Sequence, residues 1–188
     1  EIKWLYNYTP ARDARPCCGR VNRGVAIAGN TLYMVTIDAH LVAVNARDGK
    51  QLWDHEVAKA SAGYAMTHAP LVIKDKVIAG VAGAEFGIRG FIAAFDVATG
   101  KEAWRFYTIP GKGEPGNETW AGDSWMHGGA SVWVTGSYDP ETNLTFWGIG
   151  NPGPDYNSDK RGGDNLYSDC VVALDRSEEH TSELQSHH

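Results

Sequence analysis

Two stretches decide the fold: LVAVNARDGKQLW, from Leu41 to Trp53, and FIAAFDVATGKEAW, from Phe91 to Trp104. Each runs from an apolar strand through Asn or Asp to a Gly-Lys turn and then to Trp. Gly49 lies 51 residues before Gly100, and Trp53 lies 51 residues before Trp104. Trp4, in IKWLYNY, precedes Trp53 by 49 residues, so a similar closing strand ends an earlier unit. Self-similarity at a fixed period marks a repeat architecture, in which each unit buries its faces only against its neighbours.

Fifty residues divide into four strands. The first complete unit places them near 24–28, 31–37, 41–45 and 51–57, and the second near 70–73, 76–81, 90–96 and 102–108. A third offers strands near 130–134, 144–149 and 170–174, with no Gly-Lys turn or Trp after them. Four strands repeating at this period describe a β-propeller blade, and three blades cannot close a ring. The expectation is therefore an all-β chain, residues 1–175, that forms part of a larger propeller. Residues 176–188, RSEEHTSELQSHH, show no strand alternation and place Glu179 where the repeat asks for Gly. They resemble the translation of a sequencing-library adapter and are set aside as a non-native tail.

Composition agrees. The chain has 188 residues, 43% of them hydrophobic, with seven Trp, eight Tyr and 22 Gly, a profile of many short strands rather than amphipathic helices. A net charge of −6 without a basic run argues against a nucleic-acid partner or an anionic membrane surface. No apolar run reaches the roughly 18–20 residues of a membrane span. The first residue is Glu and no charged-then-apolar leader follows it, so either a leader has been removed or the chain is a fragment.

In an up-and-down blade the loops between second and third strands share one face with the blade-to-blade connections. The Gly-Lys turns lie on the other face, where their reading is structural: they reverse the chain while each Trp docks on the adjacent blade. The first face is where the units become irregular. Its loop in the first blade is only Asp38, Ala39 and His40; the second blade inserts AGAEFGIRG (Ala82 to Gly90), and the third about twenty residues from Asn151 to Asp169. Function concentrates on such loops. Glu85 and Asn151 offer an all-oxygen donor pair suited to a hard cation, though two ligands are too few; the plain alternative is a solvent-facing Glu and a turn-forming Asn. Cys17 and Cys18 are adjacent, either as free thiols or as a strained ring, since bridged cysteines usually have Cα atoms ~4.4–6.8 Å apart. Cys170 opens a strand and reads as a small packed side chain.

Taken together, the cysteine pair with Arg23 five residues on, the GAEFGIRG loop, Trp133 followed 18 residues later by Asn151, the phrase GNPGPDYN and the repeated GKxxW turn, TGKxxW in the second blade, resemble a pyrroloquinoline-quinone (PQQ)-dependent alcohol dehydrogenase of the methanol and ethanol dehydrogenase type. The resemblance implies an eight-bladed propeller holding PQQ on its axis, between a vicinal disulfide matched by Cys17 and Cys18 and an indole matched by Trp133. Arg23 matches the partner of the cofactor's carboxylates. Thr67 and Ser131 match hydrogen-bonding positions, and Gly83 and Ala84 match residues whose backbone approaches the quinone. Glu85 and Asn151 match ligands of calcium or a lanthanide. Ala82 stands where some members have Ser, which removes one hydroxyl contact. Trp120, Trp125 and Trp147 match no cofactor contact and read as packing.

The implied reaction is oxidation of a primary alcohol to an aldehyde, with the metal polarising a quinone carbonyl to accept hydride. The catalytic base, a further metal ligand and an Arg near the quinone are expected downstream, so none of Asp123, Asp155 or Asp164 is assigned as base. The resemblance also implies a bacterial periplasmic location and a cytochrome c acceptor, either separate or as a haem c domain outside this chain, since no C-x-x-C-H motif occurs. Two other readings compete. A non-enzymatic tryptophan-docked propeller, such as an outer-membrane assembly scaffold, predicts short loops on both faces; a sugar-oxidising quinoprotein is disfavoured by the cysteine pair.

Overall fold

A computed structural model describes residues 1–175; the expected tail, 176–188, lies outside the described residues. The first blade consists of β1 (Ala26–Ala28), β2 (Thr31–Val35), β3 (His40–Asn45) and β4 (Gln51–Glu56), hydrogen-bonded in that order. The second repeats it with β5 (Leu71–Ile73), β6 (Lys76–Gly80), β7 (Phe91–Asp96) and β8 (Glu102–Tyr107). A third sheet holds β9 (Ser137–Asp139), β10 (Leu144–Gly148) and β11 (Val171–Asp175). All pairings between these strands are antiparallel.

The repeat extends to irregularities. Both complete blades carry a register shift before the Gly-Lys turn, at Ala43/Val44 and at Ala94/Phe95. Gly49 donates its N–H to the Asn45 carbonyl and Gly100 donates to that of Asp96, each at 2.9 Å. The expected docking follows from these glycines. A Cβ on Gly49 would sit 2.7 Å from Trp4 Cε3, and one on Gly100 would sit 2.7 Å from Trp53 Cε3. Trp4 Nε1 donates to the Ala46 carbonyl at 3.0 Å and Trp53 Nε1 to that of Val97 at 3.2 Å, so each indole lies on the turn of the following blade.

Side-chain alternation sorts the core into two layers. Leu41 and Ala43 from the first blade meet Val77, Ala79, Phe91, Ala93 and Phe95 from the second. The intervening Ile78, Ile92 and Ala94 face the other way, against Trp147 and Val172 of the third sheet and Val132 from the segment that precedes it. The second blade is covered on both faces, which explains why its strands read as continuous apolar runs rather than as an alternation.

One strand expectation is corrected. Residues 130–134 form no strand, and the inner position of the third sheet is held by β9. The backbone of this run is divided between two neighbours: Ala130 N–H donates to the Asn151 carbonyl at 3.0 Å, whereas Val132 N–H donates to the Val81 carbonyl of the second blade at 2.7 Å. Apolar composition announced a strand, but the hydrogen-bonding partner changes within it. Trp120 and Trp147 are buried in the second layer, with Trp125 packed against it. No helix among the described residues is long and apolar enough to cross a membrane.

Candidate functional site

A lattice of main-chain contacts ties the irregular loops together on one face. Ala65 pairs with Ala82, Arg89 with Gly129, and Gly129 with Pro152, linking the entrance of the second blade, its inserted loop and the loops of the third sheet. The lattice holds Thr67, Gly83 to Glu85, Ser131 and Asn151 at fixed points along its edge.

The inserted loop requires glycine where it turns. Gly83 has φ +123°, and a Cβ there would lie 2.1 Å from the Gly63 carbonyl oxygen. The next residues, Ala84–Phe86, make a single 3-10 turn that presents Glu85 to solvent. Ala84 itself is buried, and its carbonyl would stand 3.4 Å from a Cβ on Gly153. The Glu85 turn therefore abuts the Asn151–Gly153 loop, although 66 residues separate Glu85 from Asn151.

Cys17 and Cys18 are joined in a vicinal disulfide with Cα atoms 3.8 Å apart. A Glu85 carboxylate oxygen lies within 4.8 Å of both sulfurs, bringing the first blade's entrance against the second blade's loop. A second group forms around Arg23. Its main-chain N–H donates to the Thr67 carbonyl at 3.0 Å, and its Nη1 donates to Thr67 Oγ1 at 2.8 Å. The same guanidinium lies over the Trp133 ring, 5.1 Å from the centroid. Thr67 is buried while Trp133 is 44% exposed, so a closed anchor supports an open aromatic face. Ser131 is buried, with its carbonyl accepting from Gly150 N–H at 2.8 Å. A Cβ on Gly150 would come within 3.5 Å of Trp133 Nε1.

Three residues were not singled out as site components by the sequence. His68, beside Thr67, is fully buried and accepts from Gly80 N–H through Nε2 at 3.2 Å. Burial and the Arg23 charge push its pKa down to about 4. Arg89 donates through Nε and Nη2 to the Ile109 carbonyl at 2.8 and 2.6 Å, and lies 4.0 Å from the Tyr107 centroid and 4.9 Å from that of Trp125. It fastens the 109–125 segment to the base of the Glu85 loop, and burial lowers its pKa from the ordinary guanidinium value. Asp155 accepts from Asn151 Nδ2 at 2.6 Å. Lone polar residues without a spacing pattern give no signal of such contacts. Cys170 is half-buried, donates to the Tyr167 carbonyl at 3.3 Å, and stands outside these groups.

The chemistry of these groups fits PQQ and its metal. A carboxylate and an amide carbonyl are hard oxygen donors of the kind calcium and lanthanide ions take. A flat, multiply anionic quinone calls for an aromatic face and a planar cation, and Trp133 and Arg23 supply both side by side. The family model described as PQQ, glucose/ethanol/alcohol dehydrogenase, β-propeller domain, matches residues 57–180. The chain belongs to this family. Among curated relatives, the quinoprotein alcohol dehydrogenase PedH of Pseudomonas putida is 43% identical over 187 residues, covering 91% of this chain and 31% of its own length. The lanthanide-dependent methanol dehydrogenase of Methylacidiphilum fumariolicum is 38% identical over 194 residues, covering 92% and 31%. The solved europium-containing methanol dehydrogenase superposes with a TM-score of 0.87 at 38% identity, over 92% of this chain and 34% of that one. The chain thus spans 31% of the length of these curated relatives.

Proposed function

We propose that this chain is the cofactor-holding part of an eight-bladed periplasmic quinoprotein that oxidises primary alcohols to aldehydes. The observation that carries the reading is the pair of side-chain groups in the blade-entrance loops and the inserted loop: Arg23 with Thr67 and Trp133, and the disulfide with Glu85. When bound, metal-polarised PQQ supplies the acceptor for hydride from the alcohol carbon.

The chain's own residues do the holding. Arg23 spends Nη1 on Thr67 and keeps the rest of its fork for the cofactor's carboxylates. Trp133 offers one aromatic face, and the Cys17–Cys18 disulfide a compact polarizable surface. Gly83 and Ala84 supply main chain without bulk, and buried Ser131 a hydroxyl. Glu85 and Asn151 would hold calcium or a lanthanide, with further ligands and the catalytic base, an Asp, supplied from outside this chain.

A persistent vicinal disulfide supports an oxidising compartment such as the periplasm. A cytochrome c acceptor is supported by relatives named methanol dehydrogenase [cytochrome c] subunit 1, and a fused haem c domain by relatives named quinohemoprotein alcohol dehydrogenases. The test uses the full-length protein reconstituted with PQQ and calcium or lanthanum, with ethanol and glucose as substrates and an artificial dye as electron acceptor. Ethanol oxidation that requires both PQQ and metal is expected. Preferential glucose turnover would favour the sugar-oxidising alternative, and absence of either would overturn the proposal.

A further inference from the structure

We infer that Asp155 is a positioning residue for Asn151, selecting which end of its amide faces the metal site; the inference rests on the metal reading proposed above. The Asn151 backbone is pinned on both sides: its carbonyl accepts from Ala130 N–H at 3.0 Å, and the preceding Gly150 N–H donates to the Ser131 carbonyl at 2.8 Å. That fixes where the side chain starts but not which end of the amide points where. An amide is nearly symmetric in shape and opposite in chemistry at its two ends, and only Oδ1 can ligate a cation.

Asp155 breaks the tie. A carboxylate is an acceptor, so the amide end 2.6 Å from Asp155 Oδ1 is the NH2 group. The same Nδ2 donates to the Pro152 carbonyl at 3.3 Å, a second acceptor that agrees with the first. With both contacts on nitrogen, Oδ1 is directed to the opposite side. The bond to Asp155 is charge-assisted and the shorter of the two, and therefore the dominant one. Without it the amide is free to turn its NH2 group toward the metal site, which opposes cation binding. Outer groups of this kind typically tune metal affinity by ~10–100-fold.

The test titrates calcium, and separately terbium, into the full-length protein loaded with PQQ and stripped of metal, with calorimetry giving Kd. Asp155→Ala is expected to weaken binding about tenfold with unchanged circular dichroism. Asn151→Asp alone is also expected to weaken it, because two carboxylates then face each other across the present hydrogen bond. The double variant Asn151→Asp with Asp155→Ala is expected to recover most of the loss, since a carboxylate has no wrong end. Asp155→Ala binding within twofold of the parent, a double variant as weak as Asp155→Ala, or Asn151→Asp binding more tightly would each overturn the inference. Glu85→Ala and Asn151→Ala serve as controls: parent-like affinity in both would sink the metal assignment itself.

Discussion

His68 sits in a fully buried niche behind the Arg23–Thr67 pair, with its ring accepting from Gly80 N–H. Burial, aided by the Arg23 charge, lowers its pKa from 6.5 to about 4, so the folded protein holds the ring neutral while the unfolded chain protonates near 6.5. Above pH 6.5 this stabilisation is complete. Between pH 6.5 and 4 the unfolded state binds the extra proton, and stability falls by as much as ~3 kcal/mol. Urea unfolding of the full-length protein from pH 7.5 to 4.5 should show that decline, with a shallower one in His68→Gln; superimposable pH profiles would contradict it. Which residues were legible follows from their surroundings. Cys17, Cys18, Arg23, Glu85, Trp133 and Asn151 sit in motifs with recognisable order, whereas His68, Arg89 and Asp155 act through partners up to 36 residues away or through a single side-chain contact.

At the scale of the element, the blade turn is the unit of stability. A Cβ at Gly100 would need both a left-handed backbone, φ +70°, and space occupied by Trp53 at 2.7 Å. Gly29 shares the left-handed backbone, φ +57°, but has open space around it. Gly29→Ala should cost roughly 1–2 kcal/mol for conformation alone. Gly100→Ala should cost a further ~1–3 kcal/mol and shift tryptophan fluorescence, because the indole must move. Denaturant unfolding of the two full-length variants measures the difference, and equal losses would mean that Trp53 docking contributes nothing. The two complete blades were readable because turn chemistry, apolar runs and Trp spacing agree at an interval of 51 residues. The inner strand of the third sheet was misplaced because Ala130 and Val132 bond to different neighbours, and composition carries no record of hydrogen-bond partners.

For the whole molecule, the site exists only where blades meet. Cys17 and Cys18 precede the first blade, Glu85 lies in the loop of the second, and Trp133 and Asn151 lie in loops of the third, so on the proposed reading each blade contributes part of the site. Sheets that stack on neighbours leave apolar faces and edges open when those neighbours are missing, and Ile27 and Val171 are already 65% and 56% exposed. Residues 1–188 expressed alone should therefore aggregate on size-exclusion chromatography and show no dye-linked alcohol oxidation; a monodisperse, active preparation would contradict this. The architecture was visible in the repeat, and the pairing of the Glu85 and Asn151 loops on one face followed from blade topology, while the roles of Cys17, Cys18, Arg23 and Trp133 came only through the family resemblance.

On the proposed function these loops together seat a flat quinone over an ion, an arrangement that diffraction can locate atom by atom. Its most direct measurement is anomalous diffraction from crystals of the full-length protein loaded with PQQ and terbium. A single strong peak is expected about 2.3–2.6 Å from Glu85 carboxylate oxygen and Asn151 Oδ1, with quinone density between the Cys17–Cys18 disulfide and Trp133. A peak away from Glu85 and Asn151, or quinone density that does not touch Trp133, would contradict it.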